Sequence, residues 1–237
     1  MRVALLGMGR VGRSMALLLP AAGVEVACWR RGEPLPEADV YWLTLRDDAL
    51  AEVDATLPAP LVVLHASGAL GPEALATHAE RGVLHPLMTF PGPEIGLPTL
   101  QGAGANVAGT PRARRYAEEI ATAIGLVPFE ITGDRRLYHA AACLASGHGA
   151  ALFLQAASVL ARAGVPEAQA RGLLLPLALE SLRRAAAAGP VAITGPASRG
   201  DVRTIEAHRA VLSDEERVLY DAGTGLIRSL RVPPGGD

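Results

Sequence analysis

The stretch Val3-Ala4-Leu5-Leu6-Gly7-Met8-Gly9-Arg10-Val11-Gly12 decides the first half of the fold. Four apolar residues run into G-x-G-x-x-G, and helix-forming residues follow, which is the order strand, tight turn, helix. Gly7 permits the turn, Gly9 lets the backbone approach a pyrophosphate, and Gly12 lets the helix pack closely on the strand. The free N–H groups and dipole of the helix N-terminus favour an anion there. Gly7, Met8, Gly9, Arg10, Val11 and Gly12 are therefore expected to contact a dinucleotide, and residues 1–132 to form a Rossmann domain.

Outward from this turn, short β-branched or apolar runs alternate with helical stretches, the pattern of a parallel sheet covered by helices. Strands are expected at 2–6, 24–29, 40–45, 61–65, 82–85 and 105–108. Helices are expected at 10–19, ended by Pro20, and at 47–56, 72–80 and 111–124; residues 126–131 read as a last strand or a connector. After Gly133 the strand-like runs fade and Ala/Leu-rich helical patterns take over, so residues 133–237 read as an all-helical second domain for substrate binding and dimerisation. Its helices are expected at 137–163, 166–188, 201–212 and 214–230, with a loop at 194–200 and a frayed tail from Pro233 to Asp237.

Where an NAD site would carry an acidic residue at the end of the second strand, this chain has Trp29-Arg30-Arg31. Arginine there pairs bidentately with a 2'-phosphate, with Arg10 adding charge, so NADP(H) is the expected cofactor. Leu64-His65-Ala66-Ser67-Gly68 and Leu84-His85-Pro86-Leu87 each put a histidine at the C-terminal end of a strand, where open α/β sheets bind ligands. His65 and Ser67 are candidate cofactor contacts and His85 a candidate proton donor, since histidine titrates near pH 6.5. Tyr138 and His139 open the long helix, with Cys143 and Gly147 at four-residue steps on the same face. Asp201 and His208 share a helical face, Arg199 lies on the loop before them, and Asp201 is also a natural N-cap.

Composition narrows the function classes. A net charge of -2 gives no broad attraction to nucleic acid or anionic membrane. All 22 basic residues are arginine, which removes P-loop and Schiff-base chemistry. Cys28 and Cys143 form no metal or redox pattern and no metal site is expected; a reducing, cytoplasmic setting is. The uncharged run 140–161 is long enough to span a bilayer, but its alanine content and its polar residues Ser146, His148, Gln155 and Ser158 favour a buried helix of a soluble protein. That run is also too apolar for the few remaining helices to cover, so a homodimer built by the second domain is expected.

His65-Ala66-Ser67-Gly68, Leu84-His85-Pro86-Leu87, Tyr138-His139-Ala140-Ala141-Ala142 and Thr194-Gly195-Pro196 through Arg199-Gly200-Asp201 together resemble a family of two-domain proteins. That family couples a Rossmann-like domain to a C-terminal helical domain of unknown function, of the 6-phosphogluconate dehydrogenase C-terminal kind. It is similar in plan to pyrroline-5-carboxylate reductase, ketopantoate reductase and the deazaflavin-dependent NADP reductases. The resemblance implies an NADP-linked oxidoreductase architecture and a helical dimer. The chain departs from ketopantoate reductase and the hydroxyacid dehydrogenases, which use a lysine and an asparagine on the interdomain helix, in having no lysine, and it has Gly147-His148 where the family pattern has asparagine.

The resulting expectation is an NADP(H)-dependent oxidoreductase acting on a small polar molecule in an interdomain cleft. His85 or His139 would supply a proton, and Arg199, Asp201 and His208 would anchor the substrate. A dinucleotide-binding sensor or assembly protein without turnover, and a deazaflavin-dependent NADP reductase, are the rival readings.

Overall fold

A computed structural model describes residues 1–230; the tail expected to fray, Pro233 to Asp237, lies outside the described residues. In chain order the sheet half contains β1 (Arg2–Leu6), α1 (Arg10–Ala21), β2 (Glu25–Trp29), β3 (Val40–Leu43), α2 (Asp47–Asp54), β4 (Val62–His65), β5 (Glu80–Pro86), β6 (Gly104–Gly109), α3 (Pro111–Ala123) and β7 (Val127–Phe129). The helical half contains α4 (Arg135–Cys143), a π-helical turn Leu144–His148, α5 (Gly149–Arg162), α6 (Glu167–Ala188), α7 (Pro196–Arg199), α8 (Val202–Val211) and α9 (Asp214–Ser229). The chain is thus α/β followed by all-α, as the sequence implies.

The strands order as β2-β1-β3-β4-β5-β6-β7. β1 to β5 run parallel, whereas β6 pairs antiparallel with β5 and carries β7 with it. A wholly parallel sheet is therefore not what forms. The 87–103 connection holds Pro91, Pro93 and Pro98 and no helix, so the chain turns back along the same edge.

Alternation along the central strands feeds both faces of the sheet. Val3, Leu5, Trp42 and Leu64 pack with Met15 and Leu19 of α1 and with Ala113, Ala117 and Ile120 of α3. Ala4, Leu6, Tyr41, Leu43 and Val63 pack with Leu50 and Val53 of α2. Double-faced burial explains why β1, β3 and β4 read as continuous apolar runs.

Three expected elements change. Helix α1 passes through Pro20 to Ala21, because a proline near a helix end removes only one hydrogen bond. The expected helix 72–80 shrinks to a 3₁₀ turn at Pro72–Ala74. The buried Asp54 carboxylate accepts from the Thr77 N–H at 2.8 Å and from His78 Nδ1 at 2.7 Å, which holds that segment extended into β5. The expected helix 137–163 begins earlier, at Arg135, capped by Asp134, and its π turn breaks the four-residue face on which Gly147 was to follow His139 and Cys143.

By compactness the chain divides at Leu144 and Ala145 rather than at residues 132 and 133. The reason is side-chain bonding: Arg135 and Tyr138 on α4 hydrogen-bond to Asn106 and His85 of the sheet.

Within the second unit, α5 packs on α6. Arg162, at the end of α5, pairs with Glu216 and donates to the Val211 carbonyl at 2.9 Å. Ser213 and Glu216 form a reciprocal capping box that starts α9.

Arg135–Arg162 is long and apolar enough, by length and composition alone, to cross a membrane. The helix expected to be buried is not buried by this chain: 6% of its most apolar window is covered, and Leu144, Leu152 and Leu154 are exposed. Leu173, Leu177 and Leu182 of α6 are exposed as well. The few helices of this unit leave apolar surface over.

Candidate active site

The glycine turn lies between β1 and α1, next to β3, where the direction of strand addition reverses. Such a switch point is where open sheets bind ligands. Gly7 has φ of 110°, open to glycine but strained for other residues, and a Cβ on it would stand 2.8 Å from the Thr44 carbonyl oxygen. A Cβ on Gly12 would collide with the Gly7 carbonyl and lie 2.6 Å from Thr44 Oγ1. Thr44 Oγ1 donates to Gly7 O at 2.6 Å and locks the turn from the neighbouring strand. Around Gly9 there is open space, and no side chain caps the helix. The first-turn N–H groups thus face an approachable surface, so Gly7, Met8, Gly9, Arg10, Val11 and Gly12 fit a dinucleotide pyrophosphate.

Arg30 follows β2 directly and is exposed, in a tight turn closed by Glu33 N–H to Arg30 O at 3.1 Å. Arg31 pairs with Glu52 at 3.1 Å on the surface. Arg10, also exposed, opens α1. Arg30 and Arg10 suit a phosphate better than Arg31, whose guanidinium already has an anionic neighbour.

His65 is fully buried, and both its ring nitrogens are engaged by backbone. The Ser67 N–H donates to Nδ1 at 3.2 Å, and Nε2 lies 2.9 Å from the Gly71 carbonyl, so Nε2 carries the proton. Burial above all keeps this imidazole neutral by lowering its pKa. Ser67 Oγ accepts from the Ala69 and Leu70 N–H groups. Both residues shape the loop after β4, and neither ring nitrogen of His65 is left for a ligand. Their service is to place Gly68.

Gly68 lies over a cluster of aromatic side chains. A Cβ there would stand 2.9 Å from His85 Nε2 and 2.8 Å from His139 Cδ2. His85 Nδ1 is 2.6 Å from the Tyr138 hydroxyl, with donor and acceptor set by the tautomer. The His85 ring meets those of Tyr138 and His139 edge to face, at centroid distances of 5.5 and 6.3 Å. His139 Nε2 is 4.0 Å from Cys143 Sγ.

Burial first, then the charges of His139, Arg135 and His65, hold His85 down at about 4. His85 is therefore a neutral imidazole at pH 7, not the half-titrated acid expected from its unperturbed value. Burial pushes the Tyr138 phenol up to about 12, so its hydroxyl is protonated.

Behind this cluster, Asn106 of β6 is completely buried and stands opposite His85 in the strand register. Its Nδ2 donates to Phe129 O at 3.2 Å, and its Oδ1 accepts from Arg135 Nη1 at 2.7 Å. Arg135, Asn106, Gly68 and Thr44 are members of the site that sequence reasoning did not assign. Asn106 alone left a trace, as the one side chain with hydrogen-bonding groups in the run Gly104–Gly109.

The remaining predicted residues belong to the second unit. Asp201 caps α8: Oδ1 accepts from Thr204 N at 3.1 Å and Oδ2 from Thr204 Oγ1 at 2.7 Å, and these bonds hold its carboxyl below the usual range. Arg199 is exposed. His208 Nδ1 is 2.8 Å from the Tyr220 hydroxyl, beside an apolar cleft formed by Leu152, Val159 and Leu219. His85 and His139, expected from opposite domains, occur together in the first. Among the described residues no cluster suits a metal ion.

Solved structures share this architecture over nearly their whole length. A Bacteroides fragilis protein provisionally described as an NADP oxidoreductase superposes with a TM-score of 0.80 at 19% identity, covering 96% of this chain and 98% of that one. The 1-pyrroline-5-carboxylate reductase of Streptococcus pyogenes gives 0.64 at 14% identity, covering 97% and 99%. The pyrroline carboxylate reductase of Plasmodium falciparum with NADP bound gives 0.63 at 11%, covering 97% and 98%. At these identities the likeness shows the fold: a Rossmann-like protein resembling pyrroline-5-carboxylate reductases. A comparison with curated proteins finds no match. Residues 105–226, just over half of the chain, match the family described as Domain of unknown function (DUF2520), and the chain belongs to that family.

Proposed function

We propose that this protein is an NADP(H)-dependent reductase of a small polar carbonyl or imine compound. The observation that carries the reading is an open glycine turn after β1 together with a neutral pair formed by His85, near the C-terminal end of β5, and Tyr138 of α4, with His139 beside them on the same helix. NADPH, when bound, supplies a hydride. The chain's own residues do the rest. Gly7 to Gly12 hold the pyrophosphate, Arg30 the 2'-phosphate, and Gly68 lets the two imidazoles pack against the loop after β4. His139 delivers the proton to the substrate, while neutral His85 fixes the Tyr138 hydroxyl through Nδ1.

The reading includes a homodimer in the cytoplasm. Its support is the apolar surface of α5 and α6, which a second copy would cover more economically than lipid, because the helix carries His148 and Gln155 within its span.

NADPH consumption is measured against a panel of carbonyls and preformed imines. Turnover of one class, reduced about 10²-fold or more in His139→Ala with NADPH affinity kept, is expected. Saturable NADPH binding with no consumption across the panel would replace the reductase with a non-catalytic binding protein.

A further inference from the structure

Arg135 sets its guanidinium near the histidine cluster, and its bonding is incomplete. Nη1 is fixed by the buried Asn106 carboxamide, but Nε and Nη2 are both buried without a hydrogen-bond partner. Among the described residues no carboxylate forms an ion pair with Arg135. Buried donors are almost always satisfied, and those on a charged group are costly to leave unmade. Nε and Nη2 are moreover the two donors that point the same way along one edge of the guanidinium, the edge that receives two oxygens of one anion side by side. The neighbouring His85, His65 and Tyr138 are neutral at pH 7, and the Glu73 carboxylate acts on this positive charge only from a distance, without pairing with it.

We infer that the Nε–Nη2 edge of Arg135 is the binding site for a carboxylate of the substrate, which makes the substrate a small carbonyl or imino acid. This rests on the reductase reading for the word substrate, though not for the anion site. Asn106 is a positioning residue: it holds Nη1 and leaves the Nε–Nη2 edge without a partner. Since neighbouring atoms cover both donors, ligand entry must part that cover. Phosphate offers the same paired oxygens, so the nucleotide is the competing source of the anion.

The test uses the whole chain labelled at arginine and histidine. Acetate, pyruvate and inorganic phosphate are titrated while the Arg135 Nε–H and His85 Cε1–H resonances are followed, and NADPH affinity is measured in wild type and Arg135→Lys. Saturable shifts of both resonances with acetate and pyruvate are expected, with carboxylate affinity falling roughly 10-fold to 100-fold in the lysine variant, which keeps the charge but loses the fork. NADPH affinity should stay within about 3-fold, a change worth less than about 0.7 kcal/mol. Silence of the Nε–H signal towards all three anions would mean that the fork holds only water and would overturn the proposal. A loss of NADPH affinity of about 10-fold or more in Arg135→Lys, without carboxylate shifts, would assign the fork to the nucleotide instead. Carboxylate shifts in a protein that binds no NADPH would sink the reductase and leave the anion site standing.

Discussion

His85 offers a direct way to test the electrostatics of the cluster, because its neutrality has a consequence for stability. The unfolded chain binds a proton at this histidine near its ordinary 6.5, whereas the folded chain holds it at about 4, chiefly through burial. Between those values the unfolded state binds more protons, so stability rises with pH across that window. The contribution is fully present above pH 6.5 and is lost as the pH falls towards 4. At about 1.36 kcal/mol per pKa step, the full window is worth about 3 kcal/mol. In His85→Gln the proton-binding difference disappears. Urea unfolding from pH 4.5 to 7 should therefore be less pH-dependent in the variant, by a slope approaching one proton, with His65 and the carboxylates common to both proteins cancelling. A histidine-resolved NMR titration of the wild type gives the same quantity without any variant. Titration of His85 at pH 6 or above would refute the account of burial, and with it the neutral His85–Tyr138 pair.

Three further outcomes follow from the geometry. Arg30→Ala should weaken NADPH binding roughly 10-fold to 150-fold and NADH binding little, because a charge-assisted phosphate contact is worth about 1.5–3 kcal/mol; equal losses in fluorescence titrations would remove the 2'-phosphate assignment. Asp54→Ala leaves the buried His78 ring and the Thr77 N–H without their acceptor, and unfolding free energy should drop by about 3–5 kcal/mol in denaturant melts. A loss below about 1 kcal/mol would show that the segment before β5 is held some other way. Light scattering at micromolar concentration should give twice the chain mass of 24.5 kDa, whereas a monomer would mean that the apolar faces of α5 and α6 are not covered by a second copy.

The sheet was largely legible because its signal is local. Gly7, Gly9 and Gly12 fix a turn through backbone geometry within six residues, and double-faced burial writes β1, β3 and β4 as plain apolar runs. The helix expected over 72–80 failed for the opposite reason. Its fate depends on Asp54, twenty-three residues before Thr77, and no periodicity within 72–80 carries that information. The site was half legible in the same sense. His85 and His139 stand out as histidines in apolar surroundings, but the depressed basicity of His85 depends on burial among its neighbours. Asn106 and Arg135 meet only because β6 reverses and α4 returns to it. Asp201 looked like a ligand and is a cap, since the N-cap geometry satisfies both of its oxygens with Thr204.

The π turn at Leu144–His148 holds one residue more than a regular helix would need for that turn. A helix advances about 100° per residue, so deleting one residue there would turn every later side chain of the same helix by about that angle about its axis. Arg135 and Tyr138 precede the turn and would keep their bonds to the sheet, and His139 its ring contact with His85. The turn therefore sets the phase of α5 about its own axis, and a single insertion or deletion there changes which side chains share a face of α5 while leaving the residues before it in register.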